Sequence, residues 1–202
     1  MIPPVYLFAG VISWPIVKPL FRLRAAGLEN LPERGFVLAA NHISNFDPWP
    51  LALPLFPRRP LCFMAKSELF NPFLGPILRH TGVFPVRRGQ GDREALRTAV
   101  ELLRGGSIVA MFPEGTRRAK GVRKKFEARP HTGTARIALA AGVPLVPAAI
   151  AGTDRLSRLG PLRVAYGQPV ELDDLASLPR STAARVATER LMAKIYELEE
   201  SL

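Results

Sequence analysis

Short apolar runs alternate with amphipathic stretches along most of the chain. The apolar runs are rich in Val, Ile, Phe, Leu and Ala and are bounded by Gly, Pro or Asn, a pattern typical of strands. The predicted strands are "FVLAAN", "LCFMA", "GVFPV", "SIVAMF" and "PLVPAAIAG", with "LRVAYG" as an outer strand.

Helices are predicted between and after these strands. In "DREALRTAVELLRGG", apolar residues recur at helical spacing, Asp92 is a capping residue and Gly105 is a stop signal. Asp47-Pro48 and Asn71-Pro72 each combine a cap with a proline at the first helical position. The other predicted helices are "FNPFLGPILRH", "TGTARIALAAG" and residues 181–200. Strands that alternate with helices predict an α/β fold with a mostly parallel sheet flanked by helices.

The predicted fold class indicates where ligand-binding and catalytic residues should lie. In open parallel sheets, ligands bind beyond the carboxyl ends of the strands. His42 directly follows "FVLAAN", and the segment "PEGTR" directly follows "SIVAMF". We therefore expect both segments at the same edge of the sheet.

The N-terminal segment "PPVYLFAGVISWPIVKPLF" is apolar and has several interpretations. A signal peptide would carry positive charge before the apolar run, and a spanning helix would need about 20 uninterrupted apolar residues. Here Pro15 and Lys18 interrupt the run, so a short helix in the membrane interface fits better, with Tyr6 and Trp14 at headgroup depth. A helix packed on the domain is the alternative. We divide the chain into an N-terminal membrane-associating segment, 1–27, and the main domain, 28–202.

Composition narrows the possible functions. The 202 residues are 48% hydrophobic, which is consistent with one folded domain, and they carry a formal net charge of +11. That surplus favours a polyanionic partner, namely nucleic acid, an anionic membrane or a phosphorylated substrate. The single cysteine, Cys62, excludes an internal disulfide and a multi-cysteine metal site, and its place in an apolar run indicates a core residue.

His42 and Asp47 are the first candidates for catalysis. A neutral imidazole at a strand end can act as a general base, and a carboxylate on its other nitrogen fixes the tautomer. The spacing in "NHISNFD" allows this contact across a turn. Asp47 before Pro48 is equally explained as a helix cap, and His42 as a hydrogen-bonded loop residue.

Three further segments place charge at strand ends. In "FPEGTR", Gly115 permits a tight turn, Arg117 can bind a phosphate in bidentate fashion, and Glu114 can accept a hydrogen bond. The alternative for this segment is an ordinary turn with a surface ion pair. Lys66 follows "LCFMA", and the pair Arg87 and Arg88 follows "GVFPV". One histidine among several cations is suited to an enzyme that acts on a hydroxyl group of a phosphorylated substrate.

These motifs, in this order and spacing, resemble the 1-acylglycerol-3-phosphate O-acyltransferase family. "NHISNFD" resembles the family's NHxxxxD motif, and "FPEGTR" is identical to its third motif. "GVFPVRR" is similar to the second motif and places the family arginine at Arg88, while "GVPLVPAAI" is similar to the fourth. The resemblance covers roughly residues 28–170.

The resemblance implies a role for each motif residue. His42 would be the general base toward the acceptor hydroxyl, and Asp47 would hold and polarise it. The activated oxygen would attack the thioester of acyl-CoA or acyl carrier protein directly, so that lysophosphatidic acid becomes phosphatidic acid without a cofactor. The acceptor phosphate would be bound by a cluster of motif residues, namely Lys66, Arg88, Glu114, Gly115, Thr116 and Arg117.

The chain departs from the family pattern at two points. Arg87 stands where relatives usually carry Asp or Asn, which leaves another lysophospholipid or a glycolipid open as the acceptor. The N-terminal element is also shorter and more interrupted than in many relatives, so membrane attachment is expected to be weaker or of a different form.

The basic run "RRAKGVRKKFEAR", residues 117–129, offers a second membrane signal. Each Lys or Arg near an anionic leaflet contributes on the order of 1 kcal/mol of binding. Together with the apolar N-terminus, it predicts a peripheral or monotopic protein at the cytoplasmic face of a membrane. The alternatives are a solvated loop or a guide for a phosphorylated donor, and His131 just beyond it is interpreted as a plain loop residue.

A basic nucleic-acid-binding domain is the rival hypothesis from another class. The low aromatic content, the apolar N-terminus and the lack of a recognisable binding module argue against it. We therefore expect no nucleic-acid partner.

Overall fold

The computed structural model describes residues 4–87, 92–115 and 130–202, and within them a seven-stranded sheet with helices on both faces. The strands are Arg24–Ala26 (β1), Val37–Ala40 (β2), Leu61–Lys66 (β3), Val83–Val86 (β4), Ile108–Met111 (β5), Leu145–Ala151 (β6) and Arg163–Tyr166 (β7). The helices are Pro4–Leu20 (α1), Pro48–Ala52 (α2), Leu74–His80 (α3), Arg93–Arg104 (α4), Gly133–Ala141 (α5) and Arg180–Glu200 (α6). The predicted α/β fold with a mostly parallel, helix-flanked sheet is confirmed.

The strand order is β1-β7-β6-β2-β5-β3-β4. The five strands from β6 to β4 are mutually parallel, whereas β7 runs antiparallel to β6 and pairs in parallel with β1. The carboxyl ends of β6, β2, β5, β3 and β4 therefore meet at one edge of the sheet. Because β2 lies between β6 and β5, the residues that follow these three strands are direct neighbours.

The central strands are apolar throughout because helices cover both faces of the sheet. In β2, Val37 and Ala39 face a core shared with α4, α5 and α6, while Leu38 and Ala40 face a second core shared with α1 and α2. The hydroxyl of Tyr166 in β7 donates to the carbonyl oxygen of Leu51 in α2 at 2.8 Å, which ties α2 to the sheet.

Local signals define the ends of the predicted helices. Asp92 Oδ1 accepts the backbone N–H of Ala95 at the start of α4, and Gly142 ends α5 with a φ of 68°. Asn71 Oδ1 accepts the N–H groups of Phe73 and Leu74, as expected of a capping residue. The helix α3 itself begins at Leu74, two residues later than Asn71-Pro72 predicts.

The N-terminal helix has a buried end and exposed apolar side chains. Val17 is fully buried and Phe21, just past α1, is nearly so, both in the core beneath the sheet. Exposed apolar side chains are found along the rest of α1: Val11, Ile12, Ile16 and Leu20. Pro15 does not end the helix, which continues to Leu20. Among the helices of the described residues, none combines the length and hydrophobicity needed to cross a bilayer.

Two strand predictions need correction at the other edge of the sheet. The sequence analysis did not predict β1. This strand pairs with β7, so β1 and not β7 is the outer strand of the sheet. Since β1 has only three residues, all exposed, it carries no apolar pattern. It lies before residue 28, so the sheet includes residues of the segment that we assigned to membrane association.

Candidate active site

His42 and Asp47 are in direct contact just past the end of β2. His42 Nδ1 lies 2.8 Å from Asp47 Oδ2, the contact expected from the sequence. The same oxygen accepts the backbone N–H groups of Ile43 at 2.6 Å and Ser44 at 2.8 Å. Because this carboxylate oxygen already accepts two N–H groups, we assign the imidazole proton to Nδ1, which donates it to the same oxygen. Nε2 is then free to accept a proton, and the side chain of His42 is 12% exposed.

Asp47 does not cap α2 with its side chain, contrary to one interpretation of Asp47-Pro48. It occupies the capping position, but no cap hydrogen bond is made. The carboxylate instead faces back toward residues 42–44 and is fully buried. Its interactions therefore serve the imidazole and the preceding turn rather than the helix.

The other oxygen of Asp47 is bonded to Thr153, which the sequence analysis did not select. Thr153 Oγ1 donates to Asp47 Oδ1 at 2.5 Å, and Thr153 is 3% exposed. Thr153 lies two residues beyond β6, at the same sheet edge as His42. Its position after a strand was visible in the sequence, whereas its contact with Asp47, 106 positions away, was not.

Asn41 fixes the backbone from which His42 projects. Its Oδ1 accepts the N–H of Ile150 at 2.8 Å, and its Nδ2 donates to the Ile150 carbonyl at 3.0 Å. Nδ2 also donates to Glu199 Oε1 of α6 at 2.8 Å. The side-chain amide thus continues the pairing of β2 with β6 where the backbone leaves the sheet.

The segment after β5 lies against the imidazole. The ring of Phe112 stacks on that of His42, with centroids 4.3 Å apart and planes 18° apart. The N–H of Gly115 then donates to the Phe112 carbonyl at 3.0 Å and closes a tight turn that contains Glu114, a buried residue. The two predicted motifs are therefore brought together, with Phe112 as the contact.

Gly115 is required in this turn for two reasons. Its φ of 68° is unfavourable for other residues, and a Cβ there would lie 2.4 Å from Cδ2 of His131. The N–H of His131 donates to the Pro113 carbonyl at 2.8 Å. His131 is therefore packed against the turn, a placement that its interpretation as a plain loop residue did not anticipate.

The predicted phosphate ligands are described only in part. Lys66 ends β3 and is exposed, at the same sheet edge as His42 but one strand beyond β5. Arg87, just past β4, is exposed and donates its backbone N–H to Asp92 Oδ2. The remaining candidates, Arg88, Thr116 and Arg117, and the basic run 117–129 lie outside the described residues.

Cys62 is not placed to act as a nucleophile. It lies within β3 rather than past its end, and burial raises the pKa of its thiol despite a hydrogen bond with Ser107. In the ranges 4–87, 92–115 and 130–202, no three His, Cys, Asp or Glu side chains are grouped so as to hold a metal ion. Our expectation that the chemistry needs no metal or cofactor stays a prediction.

The arrangement has the features of a general base at the edge formed by the carboxyl ends of the strands. Asp47 contacts one edge of the imidazole and Phe112 covers one face, and among the described residues no hydrogen-bond partner occupies Nε2. A substrate hydroxyl at Nε2 would be polarised for attack on an electrophile.

Comparison with known proteins identifies the relatives of this chain. The model of a family described as Acyltransferase matches residues 22–151. The chain is 36% identical over 179 residues to the 1-acyl-sn-glycerol-3-phosphate acyltransferase of Bacillus subtilis (strain 168), an alignment that covers 86% of each chain. It is 31% identical over 149 residues to 1-acyl-sn-glycerol-3-phosphate acyltransferase LPAT1, chloroplastic, of Arabidopsis thaliana, covering 71% of this chain and 40% of that protein.

A solved structure has the same fold. The 1-acyl-sn-glycerophosphate (LPA) acyltransferase PlsC from Thermotoga maritima superposes with a TM-score of 0.61 at 26% identity, covering 95% of this chain and 81% of that one.

Proposed function

Because the chain belongs to the acyltransferase family, we propose that it moves a fatty acyl group from a thioester to the free hydroxyl of 1-acyl-sn-glycerol-3-phosphate, yielding phosphatidic acid. The Bacillus relative, named for this acceptor, aligns over most of both chains and supports the proposal. The observation that carries it is the His42–Asp47 pair beside the turn at residues 112–115, at the edge where ligands of parallel sheets bind.

In the proposed reaction, Nε2 of His42 takes the proton of the acceptor hydroxyl as its oxygen attacks the thioester carbonyl carbon. Asp47, bonded at Nδ1, stabilises the imidazolium that forms. The tetrahedral intermediate then collapses, the C–S bond breaks, and the thiolate leaves and takes up the proton from His42. The acyl group passes directly between substrates, with no acyl-enzyme.

The acceptor phosphate is assigned to the cationic side of the same edge. Lys66 supplies an exposed ammonium group there, and Glu114 and Gly115 form the turn next to His42. Arg88, Thr116 and Arg117 complete the proposed set of ligands. The donor is the thioester of coenzyme A or of acyl carrier protein, which the assay below distinguishes.

The lysophospholipid is proposed to reach the site from a membrane surface at the cytoplasmic face. Exposed apolar side chains cluster on α1 and on the segment around α3, two helices that contact each other. The second group comprises Leu69, Phe73, Leu74 and Ile77. On α1, the ammonium group of Lys18 lies 5.3 Å from the centroid of the Trp14 ring, a pairing suited to headgroup depth. We infer peripheral or monotopic attachment through these two helices, supported by the basic run 117–129.

The deciding experiment is thiol release from oleoyl-CoA, with and without 1-acyl-sn-glycerol-3-phosphate, for the wild type and His42→Ala in parallel. Acceptor-dependent release that is lost in the variant is the expected result. His80→Ala, which removes an exposed histidine at the end of α3, is the control and should keep acceptor-dependent release, so that a loss in His42→Ala is assigned to the base.

A second set of assays replaces one substrate at a time. Oleoyl-acyl carrier protein tests the donor, and lysophosphatidylglycerol and a glycolipid test the acceptor. No transfer from the wild type under any combination would contradict the proposed function. Transfer to another acceptor with His42 still required would keep the reaction and change its substrate.

A further inference from the structure

The Thr153 side chain is buried against the carboxylate that orients His42. Its hydroxyl donates to Asp47 Oδ1 at 2.5 Å, although the two residues are 106 positions apart in sequence. The other oxygen of Asp47 has three donors, whereas within the described part of the chain Thr153 is the only donor recorded for Oδ1. The carboxylate is fully buried, so water cannot replace this donor without a change in packing.

The placement of Thr153 depends on the chain turn after β6. Gly152 has a φ of 94°, and a Cβ there would lie 2.2 Å from the carbonyl oxygen of Pro161. The chain reverses at this glycine, and Thr153 begins the 3-10 helix Thr153–Arg158. Since β6 pairs with β2 in register, Ala148 opposite Ala40, the turn brings Thr153 to the residues after β2.

The chemistry of the buried carboxylate gives this hydrogen bond a consequence for catalysis. A buried charged oxygen without a donor is costly, and a carboxylate anchored through one oxygen alone can rotate. Rotation of Asp47 would break the contact with Nδ1 and release the imidazole to turn. A donor on Oδ1 fixes the plane of the carboxylate and therefore the direction of Nε2.

We propose that Thr153 is a positioning residue of the proposed acyl transfer, which holds Asp47 in the orientation that His42 requires. It acts through Asp47 and does not touch the substrate. The proposal rests on the proposed function for its kinetic consequence, while the hydrogen-bond geometry stands independently of the substrate.

The kinetic test uses two complementary substitutions. Thr153→Val keeps the shape and removes the hydroxyl, whereas Thr153→Ser keeps the hydroxyl and removes the methyl group. We expect Thr153→Val to lower kcat about 10-fold to 100-fold, the range found when partners of site ligands are removed in metal enzymes. The KM of both substrates should stay within about twofold, because Thr153 acts on the base and does not touch the substrates. Thr153→Ser should retain most of kcat because it keeps the hydroxyl.

Thr188→Val is the matched control. Thr188 is also 3% exposed and also donates its hydroxyl, at 2.7 Å, but to the Ala184 carbonyl within α6. The Thr188→Val substitution removes a buried threonine hydroxyl of the same kind and should leave kcat unchanged. Equal kcat for Thr153→Val and the wild type, or equal losses for Thr153→Ser and Thr153→Val, would overturn the proposal.

A second measurement does not need turnover. In protein with ¹⁵N-labelled histidine, the Nδ1–H resonance of His42 is assigned by its loss in His42→Ala, and its shift reports the hydrogen bond to Asp47. Thr153→Val should move or broaden this resonance, and Thr188→Val should not. An unchanged resonance in Thr153→Val would refute the positioning role even if the wild type transferred no acyl group, whereas an inactive wild type with the expected shift would refute only the proposed function.

Discussion

The aromatic ring of Phe112 lies flat on the imidazole of His42, with centroids 4.3 Å apart. Phe112 directly follows β5, and His42 lies two residues past β2, the strand paired with it. The turn proposed to bind the acceptor phosphate therefore begins at the residue that covers the proposed base. Asp47 at Nδ1 and Phe112 on one face together set the direction of the reactive nitrogen.

The stack predicts a measurable effect on turnover. Phe112→Leu keeps apolar volume but removes the flat surface, and aromatic pairs contribute about 0.5–1.5 kcal/mol beyond their burial. We expect kcat to fall by roughly threefold to tenfold, with Phe112→Tyr close to the wild type because it retains the ring. Steady-state kinetics at saturating acceptor would check this, and wild-type kcat in Phe112→Leu would contradict it.

Asp47→Asn should have a much larger effect. The amide presents one acceptor oxygen in place of two, so it cannot satisfy Thr153, His42 and the two backbone N–H groups as the carboxylate does. We expect kcat to fall by about 10³-fold to 10⁴-fold, as when the carboxylate of a catalytic triad is replaced by an amide.

Asp173→Asn, at an exposed position before α6, is the control for loss of one negative charge. Far-ultraviolet circular dichroism would establish that the Asp47→Asn variant is folded. A folded Asp47→Asn protein with near wild-type turnover would show that Asp47 has no catalytic role.

Gly115→Ala tests the turn through its neighbour His131. The added methyl group would overlap the His131 ring, and the φ of 68° costs about 1–2 kcal/mol for an L-residue. We expect a lower free energy of unfolding and a higher acceptor KM. In the double variant Gly115→Ala/His131→Ala the overlap is removed while the backbone strain remains, so part of the loss should be recovered.

Thermal unfolding and acceptor titration on both variants and on His131→Ala would complete the cycle. Strict additivity of the two substitutions would show that the imidazole does not constrain the turn.

Cys62 should react slowly with alkylating agents. Burial raises the pKa of its thiol, so less thiolate is present at a given pH than in an unfolded chain. Since only the thiolate reacts, we expect iodoacetamide labelling near pH 8 to be slower in the native protein than in guanidinium chloride, and to accelerate as pH rises. Equal rates in the two states would contradict the burial of Cys62.

The sequence predicted the parts of this molecule that depend on local patterns. Strands such as β2 and β5 are continuous apolar runs because both faces are buried, and Asp92 caps α4 as its position indicates. The contact of His42 with Asp47 was also predictable, since only a short turn separates them. The short edge strand β1 was missed because three exposed residues carry no periodic signal.

The contacts that complete the site join distant segments, and no local pattern encodes them. Thr153 after a glycine resembles any turn residue, yet the turn after β6 brings it to Asp47. His131 resembled a loop residue because nothing in the sequence places its ring against Gly115. The same is true of the hydrogen bond between Asn41 and Glu199, which are 158 positions apart in sequence.

The proposed membrane docking through α1 and the segment around α3 predicts that the exposed apolar side chains of this segment govern vesicle binding. Phe73 is 88% exposed and Ile77 is 51% exposed, which is unusual for residues of this size without a partner. Burying such a side chain contributes about 1.5–3 kcal/mol, so Phe73→Ser/Ile77→Ser should weaken binding to phosphatidylglycerol-containing vesicles by at least about tenfold.

Substitutions at Phe73 and Ile77 are preferred to deletion of α1 because Val17 is part of the core, and its loss would damage the fold. Leu178→Ser, at an exposed leucine just before α6, is the matched control and should sediment with vesicles as the wild type does. Release of the double variant with retained turnover of short-chain, monomeric acceptor would assign these side chains to the membrane and not to the reaction. Equal sedimentation of the double variant and the control would show that α3 does not contact lipid.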